Sequence, residues 1–159
     1  MKTTVKRTVQ LLIAQQKTLA VAESFTGGLI AHSLTNIPGS SQYFTAAVIA
    51  YSNTIKQSQL KIPKKTIEKN GAVSKEVAIA MAKNIRRLAK TDFGISTTGI
   101  AGPTGATKTK PVGLAFIALA IPSKTTVRKF VFKGTRCEIK KKAAEAALRL
   151  LYNYLKAKT

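Results

Sequence analysis

Residues 18–28 read Thr18-Leu19-Ala20-Val21-Ala22-Glu23-Ser24-Phe25-Thr26-Gly27-Gly28, and the fold prediction rests on them. The apolar first half predicts a buried strand over Thr18–Glu23. The residues that follow predict a helix over Thr26–Thr35. A strand that passes directly into a helix is the repeating unit of α/β folds, so we predict that class.

Ser24 lies at the predicted junction between this strand and the helix. The first amides of a helix have no partner within the helix and carry partial positive charge. A hydroxyl beside them therefore has oxyanion donors close by, which favours a nucleophilic role. The alternative is that Ser24 or Thr26 simply caps the helix, because serine and threonine are favoured N-cap residues.

The remaining apolar patterns and turn residues complete an alternation of helices and strands. Further strands are predicted at Thr45–Tyr51, Phe93–Thr98, Val112–Ala120 and Thr125–Phe132. Further helices are predicted over Thr3–Gln16, from Asn53 to about Gln59, from Pro63 to Asn70, from Ser74 through Leu88, and from Arg136 to Ala157. The last two strands are joined by a short turn, which predicts a hairpin. We therefore predict a single domain over residues 1–159, a three-layer α/β/α sandwich with a mixed sheet of about five strands.

The charge of the chain is strongly positive. Lysine and arginine together number 27 against 6 acidic residues, which gives a formal net charge of +21. Such a field attracts nucleic acids and other polyanions. The basic residues are spread along the chain rather than gathered in a tail or interleaved with aromatic residues, so we expect nucleic-acid binding to be only incidental.

The single histidine and the single cysteine restrict the chemistry. One cysteine, Cys137, excludes an internal disulfide and a multi-cysteine metal cluster. His32 is predicted to lie inside the helix after Ser24, with its side chain directed away from the start of that helix. We therefore expect neither a Ser-His-Asp triad nor a metal site.

No segment of the sequence reads as a membrane span or a secretion signal. The longest apolar run, residues 112–121, has about the length of a strand. Lys2, Lys6 and Arg7 are followed by too few apolar residues for a signal peptide. We expect a cytoplasmic protein that does not associate with membranes.

Most of the unusual polar residues follow the first three predicted strands. Loops at the carboxyl ends of strands in an open α/β sheet can converge on one crevice. The three groups are Glu23, Ser24 and Thr26; Tyr51, Ser52, Asn53 and Lys56; and the glycine-rich segment from Thr98 to Gly105, which contains Gly99 and Gly102. The alternative for the third group is a surface loop that binds nothing.

Lys56 is a candidate base for Ser24, because no histidine is available for that role. A lysine can act as a base if burial or neighbouring cations lower its pKa and leave it neutral. Tyr51 could orient Lys56 or relay a proton. The alternatives are a solvated Lys56 and a Tyr51 that packs on the core.

The beginning of the last predicted helix has the pattern of an anion site. Thr135 and Glu138 have the spacing of a capping box, and Arg136 lies in the first turn. A guanidinium beside a helix N-terminus can bind a phosphate or a carboxylate. The alternative is an ordinary cap with an exposed arginine.

Six ordered motifs resemble the CinA C-terminal domain family, the nicotinamide-nucleotide amidases, in its stand-alone form. They are Ala-Glu-Ser-Phe-Thr-Gly-Gly at 22–28, Pro-Gly-Ser-Ser at 38–41, Ala-Tyr-Ser-Asn at 50–53 with Lys56, Gly-Ala-Val-Ser at 71–74, Thr-Gly-Ile-Ala-Gly-Pro at 98–103, and Lys-Pro-Val-Gly at 110–113. The resemblance implies hydrolysis of nicotinamide mononucleotide to nicotinic acid mononucleotide and ammonia, without metal or organic cofactor. It also leads us to expect a homo-oligomer.

The same resemblance implies the roles of individual residues. Ser24 is implied as the nucleophile, Lys56 as its base, and the amides near Phe25 and Thr26 as oxyanion donors. Tyr51 and Asn53 are implied to line the same pocket, Tyr51 as part of the catalytic group. Further contacts to the substrate are implied for Thr26, Asn53, Thr98, the backbone from Gly99 to Gly102, and Arg136, which is suited to the 5′-phosphate.

Two other readings stay open at this stage. The chain could be a non-catalytic partner in competence or DNA damage that kept the fold, which the positive charge would suit. It could also be a phosphatase or nucleotide pyrophosphatase, although the few scattered acidic residues are a poor ligand set for divalent metals.

Overall fold

The fold is seen in a computed structural model, which describes residues 1–158. Its strands are β1 (Leu19–Glu23), β2 (Phe44–Ile49), β3 (Phe93–Gly99), β4 (Leu114–Ala120) and β5 (Thr125–Val131). Its helices are α1 (Lys2–Ala14), α2 (Leu29–Thr35), α3 (Asn53–Ser58), α4 (Lys64–Asn70), α5 (Lys75–Leu88) and α6 (Arg136–Lys156). A short 3₁₀ turn occupies Ser40–Gln42.

The five strands form one mixed sheet in the order β2-β1-β3-β4-β5. β1 pairs in parallel with β2 and β3, whereas β4 is antiparallel to both β3 and β5. Every residue of β1 is buried, as expected for a parallel strand covered on both faces. β5 lies at the edge of the sheet and alternates between half-buried and exposed residues along most of its length.

Helices cover both faces of this sheet, so the predicted α/β/α sandwich is confirmed. α1, α2 and α6 pack together on one face, and their apolar side chains form a core with those of β1, β3 and β4. α5 packs on the opposite face, with α4 against it, and buries Val77, Met81 and Ile85. Within residues 1–158, no helix has both the length and the apolar character that a membrane crossing requires.

The beginning of α2 differs from the prediction. The helix was predicted from Thr26 but begins at Leu29, and residues 24–28 form a turn. Gly27 and Gly28 have φ values of 63° and 91°, which a right-handed helix cannot include. The Glu23 carboxylate accepts hydrogen bonds from the amides of Gly28 (3.0 Å) and Ala31 (2.9 Å) and so caps the helix at its later start.

The pairing of the strands shows which loops lie at which end of the sheet. Glu23, at the end of β1, lies beside Ile49 of β2 and Thr97 of β3, so β1, β2 and β3 all finish at the same end of the sheet. Ala120, before the β4–β5 turn, lies beside Gly94 near the start of β3. The turn of the hairpin is therefore at the opposite end of the sheet from the loops that carry the predicted site residues.

Candidate active site

A cleft of about 280 Å³ opens where β1, β2 and β3 end. Nine residues were predicted from the sequence to form the site, and eight of them line this cleft, which we call the active-site cleft. These eight are Ser24, Tyr51, Asn53, Lys56, Thr98, Gly99, Gly102 and Arg136. The ninth, Thr26, does not. The three loops and the start of α6 therefore converge as the order of the strands requires.

Thr26 is fully buried, which corrects its assignment as a substrate contact. Its hydroxyl and that of Thr97 form a hydrogen bond of 2.8 Å beneath the turn. Thr26 faces inward because the turn at residues 24–28 replaces the helical start on which the prediction was based. Its side chain thus ties the turn to β3.

Ser24 is held rigidly at the end of β1. Its amide donates to the carbonyl of Thr97 (3.0 Å), and its carbonyl accepts from the amide of Gly27 (3.0 Å). The residue is 7% exposed, and it lines the cleft. Its neighbours fix the backbone on both sides, so the position of Ser24 Oγ is determined by the sheet and the turn together.

Lys56 reaches Ser24 from α3. Ser52 is the N-cap of this helix, since its hydroxyl accepts a hydrogen bond from the amide of Ile55 at 3.2 Å. Lys56 follows one turn later and is only 1% exposed. Its Nζ donates to Ser24 Oγ at 3.1 Å and to the carbonyl of Ala50 at 2.7 Å.

The surroundings of Lys56 favour its neutral form. Its hydrogen-bond partners in the described chain are one hydroxyl and the carbonyls of Ala50 and Tyr51, and no carboxylate is among them. Burial disfavours the charged form and lowers the pKa of Lys56 from 10.5 to about 8. A hydroxyl beside a buried amine of this kind has a proton acceptor within hydrogen-bond distance.

The backbone of one residue, Ala50, connects the end of β1 to Lys56. The amide of Ala50 donates to the carbonyl of Glu23 at 2.7 Å, and the carbonyl of Ala50 accepts from Lys56 Nζ. The end of β2 therefore connects the residue before Ser24 to the amine that contacts Ser24. Ala50 carries no sequence signal of this role, because the contact is made by its backbone.

One of the two residues expected to supply oxyanion donors lines the cleft. The Glu23 carboxylate occupies the amides of Gly28 and Ala31 at the start of α2, so that helix end offers little to a ligand. Phe25 lines the cleft, and within residues 1–158 its amide has no hydrogen-bond partner. Thr26 is fully buried, so its amide is not open to the cleft.

Arg136 stands at the mouth of the cleft. The predicted capping box of Thr135 and Glu138 is confirmed and begins α6 there. The guanidinium donates through Nη1 to the carbonyl of Gly102 (2.7 Å) and through Nη2 to the hydroxyl of Tyr51 (2.8 Å). Tyr51 therefore contacts Arg136 rather than Ser24, while its own carbonyl faces Lys56 at 3.4 Å.

The wall between these groups comes from β3 and from the segment before α5. Thr98 donates its hydroxyl proton to the carbonyl of Ala72 at 2.8 Å. Ala72 and Val73 line the cleft, but the sequence analysis assigned them no contact. Their motif, residues 71–74, was the available signal, and it was used only for the resemblance.

Comparison with known proteins gives the family of this chain. A family model described as the CinA C-terminal domain matches residues 1–155. A CinA-like protein of Desulfotalea psychrophila is 49% identical over 146 residues, which are 92% of this chain and 35% of that protein. The chain thus spans only about a third of the length of the curated relatives it matches.

Solved structures of similar proteins share the fold over nearly the full chain. A competence-damaged protein (CinA) superfamily protein from Klebsiella pneumoniae superposes with a TM-score of 0.95 at 26% identity and covers 98% of both chains. A competence/damage inducible protein from Agrobacterium tumefaciens gives a TM-score of 0.94 at 31% identity, over 98% of this chain and 94% of that one. The chain belongs to the CinA C-terminal domain family.

Proposed function

We propose that this chain is a Ser/Lys amidohydrolase that converts nicotinamide mononucleotide to nicotinic acid mononucleotide and ammonia. The observation that carries the proposal is the contact of 3.1 Å between Lys56 Nζ and Ser24 Oγ, made by a lysine that is 1% exposed. A lysine confined in this way supports acyl-transfer chemistry, because it can hold and return one proton next to a hydroxyl nucleophile.

The proposed reaction begins with proton transfer. Neutral Lys56 accepts the proton of the Ser24 hydroxyl while Oγ attacks the carboxamide carbon of the substrate. The amide of Phe25 stabilises the oxyanion that forms. The bond from carbon to nitrogen then breaks, Lys56 returns its proton to the leaving nitrogen, and ammonia departs.

Hydrolysis of the acyl-enzyme repeats these steps with water. Lys56 accepts a proton from water, the resulting hydroxide attacks the ester carbon, and Ser24 Oγ leaves with the proton from Lys56. The product is the carboxylic acid. A pKa of about 8 leaves roughly a tenth of the enzyme with a neutral base at pH 7.

Arg136 is the proposed contact for the phosphate of the substrate. A guanidinium has five N–H donors, and two of its groups are already held by Gly102 and Tyr51. The remaining donors can bind a phosphate at the mouth of the cleft, which directs the other end of the mononucleotide toward Ser24. Thr98, Asn53 and the backbone of Gly99–Gly102 are proposed to contact the substrate between these two ends.

The proposal is tested by ammonia release from nicotinamide mononucleotide. We expect Ser24→Ala to lower the rate by on the order of 10³-fold or more, because the nucleophile is gone. Ser33→Ala is the matched control, since Ser33 is also 7% exposed but binds the carbonyl of Leu29 away from the cleft. A silent wild type, or a folded Ser24→Ala variant with the wild-type rate, contradicts the proposal.

A second candidate function is a non-catalytic partner in DNA metabolism, favoured by the net charge of +21. It predicts salt-sensitive DNA binding that survives Ser24→Ala, together with no release of ammonia. The amidohydrolase predicts the reverse dependence on Ser24. Both measurements on the same preparations distinguish the two candidates.

A further inference from the structure

We propose that a second cleft, at the end of the sheet opposite Ser24, binds a phosphate group. This hairpin cleft has a volume of about 220 Å³ and lies between the last turns of α5 and the β4–β5 turn. Its lining includes Lys83, Arg86, Arg87, Lys124 and Thr125. No role in the proposed hydrolysis involves these residues.

Four cations surround the hairpin cleft. Lys83, Arg86 and Arg87 are three and four residues apart and share one face of α5, and Lys124 approaches from the hairpin turn. No acidic side chain lines the cleft among the described residues. The carboxylate of nearby Asp92 is bound by Thr18 and Lys17 instead. These cations therefore lack a carboxylate that would compete with an incoming anion.

Arg86 is oriented before any ligand arrives. Its Nε donates to the carbonyl of Asp92 at 3.0 Å, and the residue is half-buried. The close approach of α5 to β3 depends on Gly94, because a Cβ there would lie 2.7 Å from the Cβ of Arg86. The guanidinium is thus fixed at one corner while its terminal N–H groups stay available for a bidentate contact with an oxyanion.

Thr125 supplies an independent observation. Its hydroxyl is buried and has no hydrogen-bond partner among the described residues, and the residue lines the hairpin cleft. Buried hydroxyls are almost always paired, so an unpaired one beside a polar cleft indicates an absent ligand atom. If the Thr125 side chain turns toward the cleft, a phosphate oxygen can accept this hydroxyl proton while it is also bound by the cations.

The ligand chemistry follows from the combination of groups. Four cations and one hydroxyl donor fit a multiply charged oxyanion, which is a phosphate or diphosphate group. β3 begins near this cleft and ends at Gly99 in the active-site cleft, and its 7 residues extend about 20 Å. A ligand in the hairpin cleft is therefore not the phosphate of a substrate bound beside Arg136.

Calorimetric titration with inorganic diphosphate tests the proposal. All proteins carry Arg136→Gln, so that the guanidinium at the mouth of the active-site cleft does not contribute to binding. We expect Lys83→Gln with Arg87→Gln to weaken binding by about tenfold or more, since hydrogen bonds to charged groups are lost. The matched control is Lys65→Gln with Lys69→Gln, which removes two exposed lysines four residues apart on α4 and should leave the affinity unchanged.

Thr125→Val distinguishes a built site from general charge attraction. We expect it to weaken diphosphate binding by about threefold to tenfold, because one donor is lost. The melting temperature without diphosphate should be unchanged or higher, because the lost hydroxyl was unpaired. Equal binding by all variants, or no binding by the parent protein, overturns the proposal.

A single-stranded oligonucleotide without terminal phosphate identifies the source of the group. If the two glutamines and Thr125→Val weaken its binding as they weaken that of diphosphate, the phosphate is that of a nucleic-acid backbone. If they weaken diphosphate binding alone, the site takes a free phosphate or a terminal one. Either result supports the phosphate site, and loss of neither interaction overturns it.

Discussion

Two lysines, one near each end of β1, have opposite surroundings. Lys17 precedes the strand, has a side chain that is 43% exposed, and places its Nζ 3.0 Å from a carboxylate oxygen of Asp92. Lys56 lies beyond the other end, is 1% exposed, and contacts Ser24 and two carbonyls. The same residue type is thus paired with its counter-charge in one place and deprived of one in the other.

The pKa values follow this difference. Burial tends to raise the pKa of Asp92, but hydrogen bonds from Thr18 and Lys17 outweigh it and hold that pKa below its ordinary value. Burial without a counter-charge lowers the pKa of Lys56 to about 8. The surroundings at the start of β1 therefore stabilise charged groups, as a structural ion pair requires. The surroundings at the end of β1 destabilise the charged form of Lys56, which favours its action as a base.

The largest expected effect is on catalysis. We expect Lys56→Ala to lower the rate of ammonia release by about 10²–10⁴-fold, the usual contribution of a general base. Lys17→Ala is the matched control and should keep the wild-type rate, because Lys17 has no contact with the active-site cleft. Equal losses in the two variants would remove the functional distinction between the lysines.

The second effect is the dependence of the rate on pH. Only neutral Lys56 can accept a proton, and its pKa is lowered to about 8. We expect kcat/KM to rise about tenfold per pH unit from pH 6 to 7 and to level off above pH 8. Steady-state kinetics in buffers of constant ionic strength measure this profile. A rate that is flat over this range contradicts a lysine base.

The third effect concerns stability and has opposite signs at the two lysines. A base whose pKa is lowered by folding weakens the fold below that pKa, and the penalty fades as the pH rises from 8 toward 10.5. We expect Lys56→Met to raise the free energy of unfolding at pH 7 by about 1–2 kcal/mol, net of the lost bond to Ala50.

Denaturant titrations at pH 7 and pH 10 measure that change. The advantage of Lys56→Met should shrink at the higher pH, where the lysine of the folded wild type is neutral and most of the penalty is gone. Lys17→Met is the comparison, and it should lower stability slightly or not at all, because an exposed ion pair contributes little. A destabilised Lys56→Met protein at pH 7 would show that the charged amine is well accommodated.

The smallest effect is expected at the Asp92 corner. We expect Asp92→Asn to lower the free energy of unfolding by about 1 kcal/mol at pH 7, because a half-exposed ion pair and a charged acceptor for Thr18 are lost. A carboxyl whose pKa is lowered by folding stabilises the fold above its ordinary pKa of 3.8, and this contribution is lost as the pH falls further. The difference between the two proteins should therefore disappear in strong acid, as urea titrations at pH 7 and pH 2.5 can show.

The layers of the fold could be predicted because their signals are local. β1 and β4 are short apolar runs, and Ser74 and Thr135 cap α5 and α6 as their sequence positions indicate. The start of α2 could not be predicted in this way. Its cap is the carboxylate of Glu23, five residues before Gly28, and the intervening glycines leave the right-handed helical region.

The side chains that form the site could be predicted, but the contacts that position them could not. The order of the strands brings Ser24, Lys56 and Arg136 to one end of the sheet, as the polar loops indicated. The atoms that hold them are carbonyls of Ala50 and Gly102, and any residue could supply these. Thr26 was misassigned because its side chain pairs with Thr97, a contact between the turn after β1 and the distant strand β3.

The measurement that tests the account most directly is a titration of Lys56 by NMR, following the carbon next to Nζ in protein labelled at lysine. The wild type and Lys56→Met identify its signal by difference, and Lys17 serves as the exposed reference in the same spectra. The account predicts a midpoint near pH 8 for Lys56. A midpoint near 10.5, the ordinary value for a solvated lysine, would contradict the claim that Lys56 is a base for Ser24.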